Sequence, residues 1–305
     1  MPPTAERLAA ALADLPVVID DVACASGAIP VPSYGGPRPT SIVTLTGAGR
    51  RGEGEHVGWT DAAHANFART LDRWDLSGPW RLATLAHALR ERGLDPYDRA
   101  AIERAAIELA LRQRGTTLAT LAGVTPAPVR TVVSFERVAD PAAEAARRPD
   151  VALKVDVDAG WPEAVWQALG AFGRVAILDW KGGGNTDAYT RALRFVPDAI
   201  HEDPAEPYPV GIAEHVSLDA AITAPAALDG VAPFACNVKP ARMGGVLDAV
   251  RAAARCERRD ILVYVGGMFE VGVGRRQLRD LASVLCPDGP NDLAPIPLAE
   301  TRTNP

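Results

Sequence analysis

Seven charged residues in the second half of the chain carry the chemistry: Lys154 with Asp156, Asp179 with Lys181, then Glu202, Asp219 and Lys239. Successive groups are spaced by about one strand-plus-helix unit, each at the end of a short apolar run. Three carboxylates brought into one mouth repel one another unless neutralised. A hard divalent cation with oxygen ligands is the simplest neutraliser. The expectation is a Mg²⁺ site built from Asp179, Glu202 and Asp219, with Mn²⁺ as the alternative ion and Lys154 and Lys239 flanking it as proton carriers. Any one of these charges alone reads as a solvated strand end; their recurrence at successive strand ends outweighs that reading.

The elements that must position them begin near Arg130. Short β-branched runs (RTVVSF, VALKVDV, VAILDW, AIHED, HVSLD, FACNVK and ILVYVG) alternate with Ala-rich amphipathic stretches. That alternation predicts a parallel sheet, and so many units in one run predict closure into a barrel, whose catalytic groups stand at the C-terminal strand ends. An open doubly wound sheet would want a Gly-rich turn after its first strand, and that strand runs into FERVADP instead. The link PAEPYPVGIAE reads as a loop, and no eighth strand is evident beyond PNDLAP, where Asp292 reads as a loop acid that could reach substrate. Upstream, residues 15–60 read as β, and Asp95-Pro96 opens a helix that Gly115 closes, with Ile102, Ala105, Ala106 and Leu109 at helical spacing. The predicted architecture is α/β: a (β/α)7β-type, TIM-like barrel over 128–289, and an N-terminal α+β capping domain over 1–127 with the tail 290–305 packed near it.

Composition narrows the function. With 305 residues, 48% hydrophobic and 23% charged, the chain is an ordinary globular one. A net charge of −6 argues against nucleic acid as a partner. No apolar run is long enough for a membrane span, and the acidic N-terminus lacks a signal-peptide pattern, so a cytoplasmic protein is expected. Cys24, Cys236, Cys256 and Cys286 show no CxxC spacing and read as reduced thiols rather than a zinc site. The partner expected is a small-molecule carboxylate substrate, with homo-oligomerisation left open.

At these residues the chain resembles the enolase superfamily, on the side of the muconate-lactonising and o-succinylbenzoate synthase-like enzymes. Asp179, Glu202-Asp203-Pro204 and Leu218-Asp219 look like the ligand segments of that family's third, fourth and fifth strands. Asn237-Val238-Lys239-Pro240-Ala241-Arg242-Met243-Gly244-Gly245 resembles its sixth-strand segment with the catalytic Lys, and Gly266-Gly267-Met268-Phe269-Glu270 its seventh. The resemblance implies a Mg²⁺-dependent lyase or isomerase (dehydratase or cycloisomerase). In that chemistry the metal holds the substrate carboxylate, a lysine removes the α-proton, and the metal stabilises the resulting enediolate. A lysine beside a divalent cation is a usable base near neutrality. An epimerase or racemase on the same scaffold is the alternative, as is a metal-binding barrel without turnover. A Schiff-base aldolase barrel would need no metal.

Two positions depart from the pattern. The second strand carries Lys154-Val155-Asp156 where the family has Lys-x-Lys, and the third carries Asp179-Trp180-Lys181 where it has Asp-x-Asn. Residues two apart share a strand face, so Asp156 and Lys181 are expected to pair, Lys181 acting as second proton shuttle or as a plain counter-ion. Asp156, Glu270 and Arg38 are candidate substrate contacts, Arg38 from the loop over 33–41 that would fold over the mouth. His56 is a weak catalytic candidate. Arg242 reads equally as a surface residue or an anion anchor, and His201 is expected to face the barrel–helix layer.

Overall fold

Alternating apolar positions in the first third of the chain form two small antiparallel sheets. In the computed structural model, which describes residues 3–31, 36–135, 140–147 and 150–293, β1 (Pro16–Ile19), β2 (Asp21–Val31), β3 (Gly36–Gly47), β4 (Arg50–His56) and β5 (Gly78–Arg81) make up this region. β2, β3 and β4 form a meander and β1 pairs with β5. The first residues of the expected mouth loop, 33–35, lie outside the described residues.

The helix Pro96–Arg114 follows the expected signals: the Asp95 side chain accepts from the Tyr97 N–H, and Gly115 ends the helix at φ 60°. Ile102, Ala105, Ala106 and Leu109 are buried, and so are Glu103, Arg104 and Glu108. A helix buried all round needs cover on every side. One side is β4, so close that a Cβ on Gly54 would stand 2.0 Å from the Ala101 carbonyl. The other is the barrel: the Leu247 N–H donates to Glu103 at 2.8 Å, and Arg104 pairs with Glu270 at 2.8 Å.

All seven predicted barrel strands form: β6 (Val132–Phe135), β7 (Ala152–Asp156), β8 (Val175–Asp179), β9 (Ile200–Glu202), β10 (Val216–Leu218), β11 (Ala235–Val238) and β12 (Leu262–Val265). They are parallel and lie side by side in chain order. After Glu202 the link holds one helical turn, Val210–Ala213. The gap between β12 and β6 is spanned by two single-residue bridges, Thr131 with Asn291 and Gly266 with Asp292. Residues 291 and 292, expected in a tail near the cap, therefore sit in the barrel seam; residues 294–305 lie outside the described residues. The Asn291 side chain drives this placement, accepting from the Val265 N–H and donating to the carbonyls of Arg130, Cys286 and Gly289.

Val132, Ile177, Ile200, Ala235 and Tyr264 form an apolar layer drawn from five strands. Two residues further along, on the same strand face, stand Asp179, Glu202 and Asn237. On the other face Trp180, just past β8, packs against Trp166 and Tyr189 of the covering helices. His201 joins them as expected. Its Nδ1 accepts from Trp180 Nε1 at 3.1 Å, and burial pushes its pKa down to about 4. Among the described residues, no helix is long and apolar enough to cross a membrane.

Candidate active site

Strand register brings the predicted charges together. Asp156 pairs in register with Asp179, and Asp179 with Glu202. Ser217 is the register partner of Glu202, which sets Asp219 two residues beyond on the same face. Lys239 follows the last residue of β11.

Lys154 is the centre of the cluster. Its ammonium is buried and contacts Glu202, Asp292 at 2.8 Å and Asp179 at 3.1 Å. Burial alone would lower its pKa, but Asp292, Glu202 and Asp179 reverse that and hold it well above the ordinary lysine value. The sequence suggested a proton carrier beside a metal. The structure places its ammonium against three carboxylates, all of which converge on it.

Lys181 lies on the neighbouring strand end at φ 52°. Its Nζ contacts Asp179 and stands 3.2 Å from Asp156 Oδ1, with about half the side chain (48%) exposed. The expected pairing of Asp156 and Lys181 is present. Burial raises the Asp156 pKa in spite of that partner, whereas Lys154 and Lys181 outweigh burial at Asp179 and lower its pKa.

Asp219 is shared between Lys239, whose Nζ donates to it at 2.9 Å, and Arg242, which donates to its other oxygen. Arg242 is thus neither a surface residue nor a free anion anchor. Gly266 keeps this corner open: a Cβ there would stand 2.2 Å from Asn237 Oδ1 and 2.7 Å from Lys239 Cε.

The sequence reading gave no role to two members and a different one to a third. Tyr264 donates to Glu202 and exchanges a 2.8 Å hydrogen bond with Ser217; burial and the Glu202 charge raise its pKa well above the phenol value, so it stays a donor. Asn237 Nδ2 also donates to Glu202, at 3.2 Å. Both are polar residues on the inward face of apolar strands, a signal visible in the sequence. Asp292, read as a loop acid, is a direct partner of Lys154.

Three candidates stand elsewhere. Arg38 is buried and donates to the carbonyls of Pro39, Val57, Gly58 and Met268, so its guanidinium serves the main chain. Glu270 is buried between Arg104 Nη2 and the Met268 N–H at 2.6 Å, a clamp between the helix Pro96–Arg114 and the barrel. Neither takes the substrate-facing position expected of it. His56 hydrogen-bonds Asp98 at 2.8 Å and stacks on Phe67.

The donor set can be tested against the expected ion. Asp179, Glu202 and Asp219 are hard oxygen donors on neighbouring strands, the right chemistry for Mg²⁺. As they stand they face ammonium and guanidinium groups, and among the described residues no three acidic, histidine or cysteine groups converge closely enough to hold an ion. Lys154 is the stand-in cation, bound to two of the three. The ion pairs join five carboxylates (Asp156, Asp179, Glu202, Asp219, Asp292) to four cations (Lys154, Lys181, Lys239, Arg242), leaving one formal negative charge. A divalent ion together with one substrate carboxylate would balance it.

A barrel with charged groups at successive strand ends, capped by an α+β region, is the fold of the enolase superfamily. An enolase superfamily member from Listeria innocua Clip11262 superposes with TM-score 0.72 at 19% identity, over 91% of this chain and 86% of that one. A dipeptide epimerase from Methylococcus capsulatus, solved with a Mg ion, gives 0.76 at 21% identity, over 92% and 90%. The chain belongs to the DUF8230 family, described as a domain of unknown function; the family's N-terminal domain matches residues 10–121 and its C-terminal domain residues 125–299. An o-succinylbenzoate synthase from Enterococcus faecalis is 43% identical over 58 residues, 19% of this chain and 16% of that protein.

Proposed function

We propose that this chain is a Mg²⁺-dependent lyase or isomerase that removes the α-proton of a small carboxylate. The observation that carries the reading is buried Lys239 at the end of β11, with its Nζ 2.9 Å from Asp219 in a mouth of paired acids. Asp179, Glu202 and Asp219 would hold the ion. When bound, the ion supplies concentrated positive charge to the oxygens of the developing enediolate. Lys239 takes the proton at Nζ. Asp219 fixes where that Nζ lies, Arg242 holds the other oxygen of Asp219, and Tyr264 and Asn237 hold Glu202 in orientation. Lys181, half-exposed beside Asp156, is the second proton carrier. The short match to an o-succinylbenzoate synthase supports dehydration or cycloisomerisation. The likeness to a dipeptide epimerase supports epimerisation as the alternative.

A second reading rests on one observation: Lys154 is locked by three carboxylates, as in a barrel that keeps its scaffold without turnover. Proton NMR in D₂O with MgCl₂ separates the two, using a panel of hydroxy acids, N-acylamino acids and dipeptides. Exchange at an α-carbon that Lys239→Ala abolishes supports the enzyme, and inversion at that carbon selects the epimerase. Absence of exchange across the panel favours the inactive barrel.

A further inference from the structure

Away from the mouth, a cavity of about 330 Å³ lies between the helix Pro96–Arg114, the segment Thr116–Ala119 and the last barrel helix, Val273–Leu285. None of the strand-end charges lines it. Its walls include Ile107, Leu111, Leu118, Leu281 and Val284, and Arg104 lines it too. Arg104 is 2% exposed, and only its Nη2 is engaged, by Glu270; Nε and Nη1 are buried with no hydrogen-bond partner. Gln277 Oε1, on the barrel side of the same cavity, is a buried acceptor without a donor.

Buried guanidinium N–H groups left unpaired cost about 1–3 kcal/mol each, more where the group is charged. The remaining charges around the cavity cannot relieve them, because they are committed to one another. Glu108 accepts from Arg112 and Arg276, and Asp280 lies 3.8 Å from Arg276. A space of this volume is at the lower end of small-molecule sites. Its complement is a body that fills the aliphatic walls and a head that accepts hydrogen bonds from Arg104. Charge-assisted bonds to a guanidinium are roughly twice as strong as neutral ones, which selects a carboxylate head over an alcohol or ketone.

We propose that this cavity binds a medium-chain monocarboxylate, with Arg104 Nε and Nη1 donating to the carboxylate and the apolar walls enclosing the chain. The proposal does not depend on the reaction at the barrel mouth. Isothermal titration of the full-length protein with sodium octanoate, below its micellar range, tests it. The expected result is one saturable site, with acetate and 1-octanol each weaker by roughly tenfold or more, since each lacks one of the two recognition elements. Arg104→Lys, which keeps the charge for Glu270 but loses the guanidinium donors, should weaken octanoate by a similar factor. Leu118→Trp fills the cavity without touching the Arg104–Glu270 pair and should abolish binding; it carries the test if Arg104→Lys fails to fold. No octanoate binding, equal binding of octanoate and octanol, or undiminished binding by a folded Leu118→Trp protein would each overturn the proposal.

Discussion

Lys181 Nζ lies 3.2 Å from Asp156 Oδ1, an ion pair between the acid that ends β7 and the lysine just beyond β8. The two departures from the enolase-superfamily pattern are therefore one interaction. The acid stands where that pattern has a lysine, the lysine stands one strand over, and the two are in contact.

Lys181→Met tests whether that lysine moves protons. Its side chain is half-exposed, and burial already raises the pKa of Asp156. Asp156 can therefore take up a proton when its partner is lost, and the melting temperature should change little. Exchange into a turned-over substrate should fall by roughly 10²–10⁴-fold, the usual worth of a positioned acid or base. Unchanged exchange would reduce Lys181 to a counter-ion.

Magnesium should stabilise the fold. Binding to the native state alone adds about 2.7 kcal/mol when the free ion is at about 100 times its Kd. Thermal melts with MgCl₂ and with EDTA should differ for the wild type and coincide for Glu202→Gln. Identical wild-type melts across a millimolar titration would argue that Lys154 is the permanent cation of this mouth.

Glu103 gives a pH dependence of known sign. Burial pushes its pKa up from 4.5 to about 7, against the helping N–H groups of Leu247 and Val246. A carboxyl whose pKa is raised on folding binds more protons in the native state between those values. Its contribution is present below about pH 4.5 and is lost as pH rises through about 7. At about 1.4 kcal/mol per pKa unit the loss is roughly 3 kcal/mol. Denaturant unfolding across that range should show wild-type stability falling relative to Glu103→Gln. Parallel curves for the two proteins would refute the assignment.

Gly266→Ala should act on chemistry more than on the barrel. The added methyl group meets Asn237 Oδ1 and Lys239 Cε, so the lysine must shift. A displacement on this scale costs a catalytic group roughly 10²-fold. Circular dichroism should stay near wild type while α-proton exchange falls; full exchange in the variant would show that Lys239 is not the base.

The ladder of strand-end charges was legible in the sequence because a strand's period of two ties each charge to the apolar residue before it. Ile177 and Asp179, and Ile200 and Glu202, are such pairs. The pairing of Asp156 with Lys181 followed from the same rule. Glu270 and Arg38 were misread because their surroundings depend on distant packing: Arg104 reaches Glu270 from the cap side, and Arg38 reaches Met268 across most of the chain. Lys154 was placed in the right mouth without its partners, since no spacing rule reports that three acids share one ammonium. The pairing of Asp292 with Lys154 escaped because a one-residue bridge leaves no periodic trace.

That bridge ties mechanical closure to charge. The barrel's final gap is fastened by adjacent residues with divided duties: Asn291 splices the main chain across the seam, and Asp292 plugs into the Lys154 ammonium. The segment that closes the barrel is therefore the same one that supplies an acid to the Lys154 ammonium.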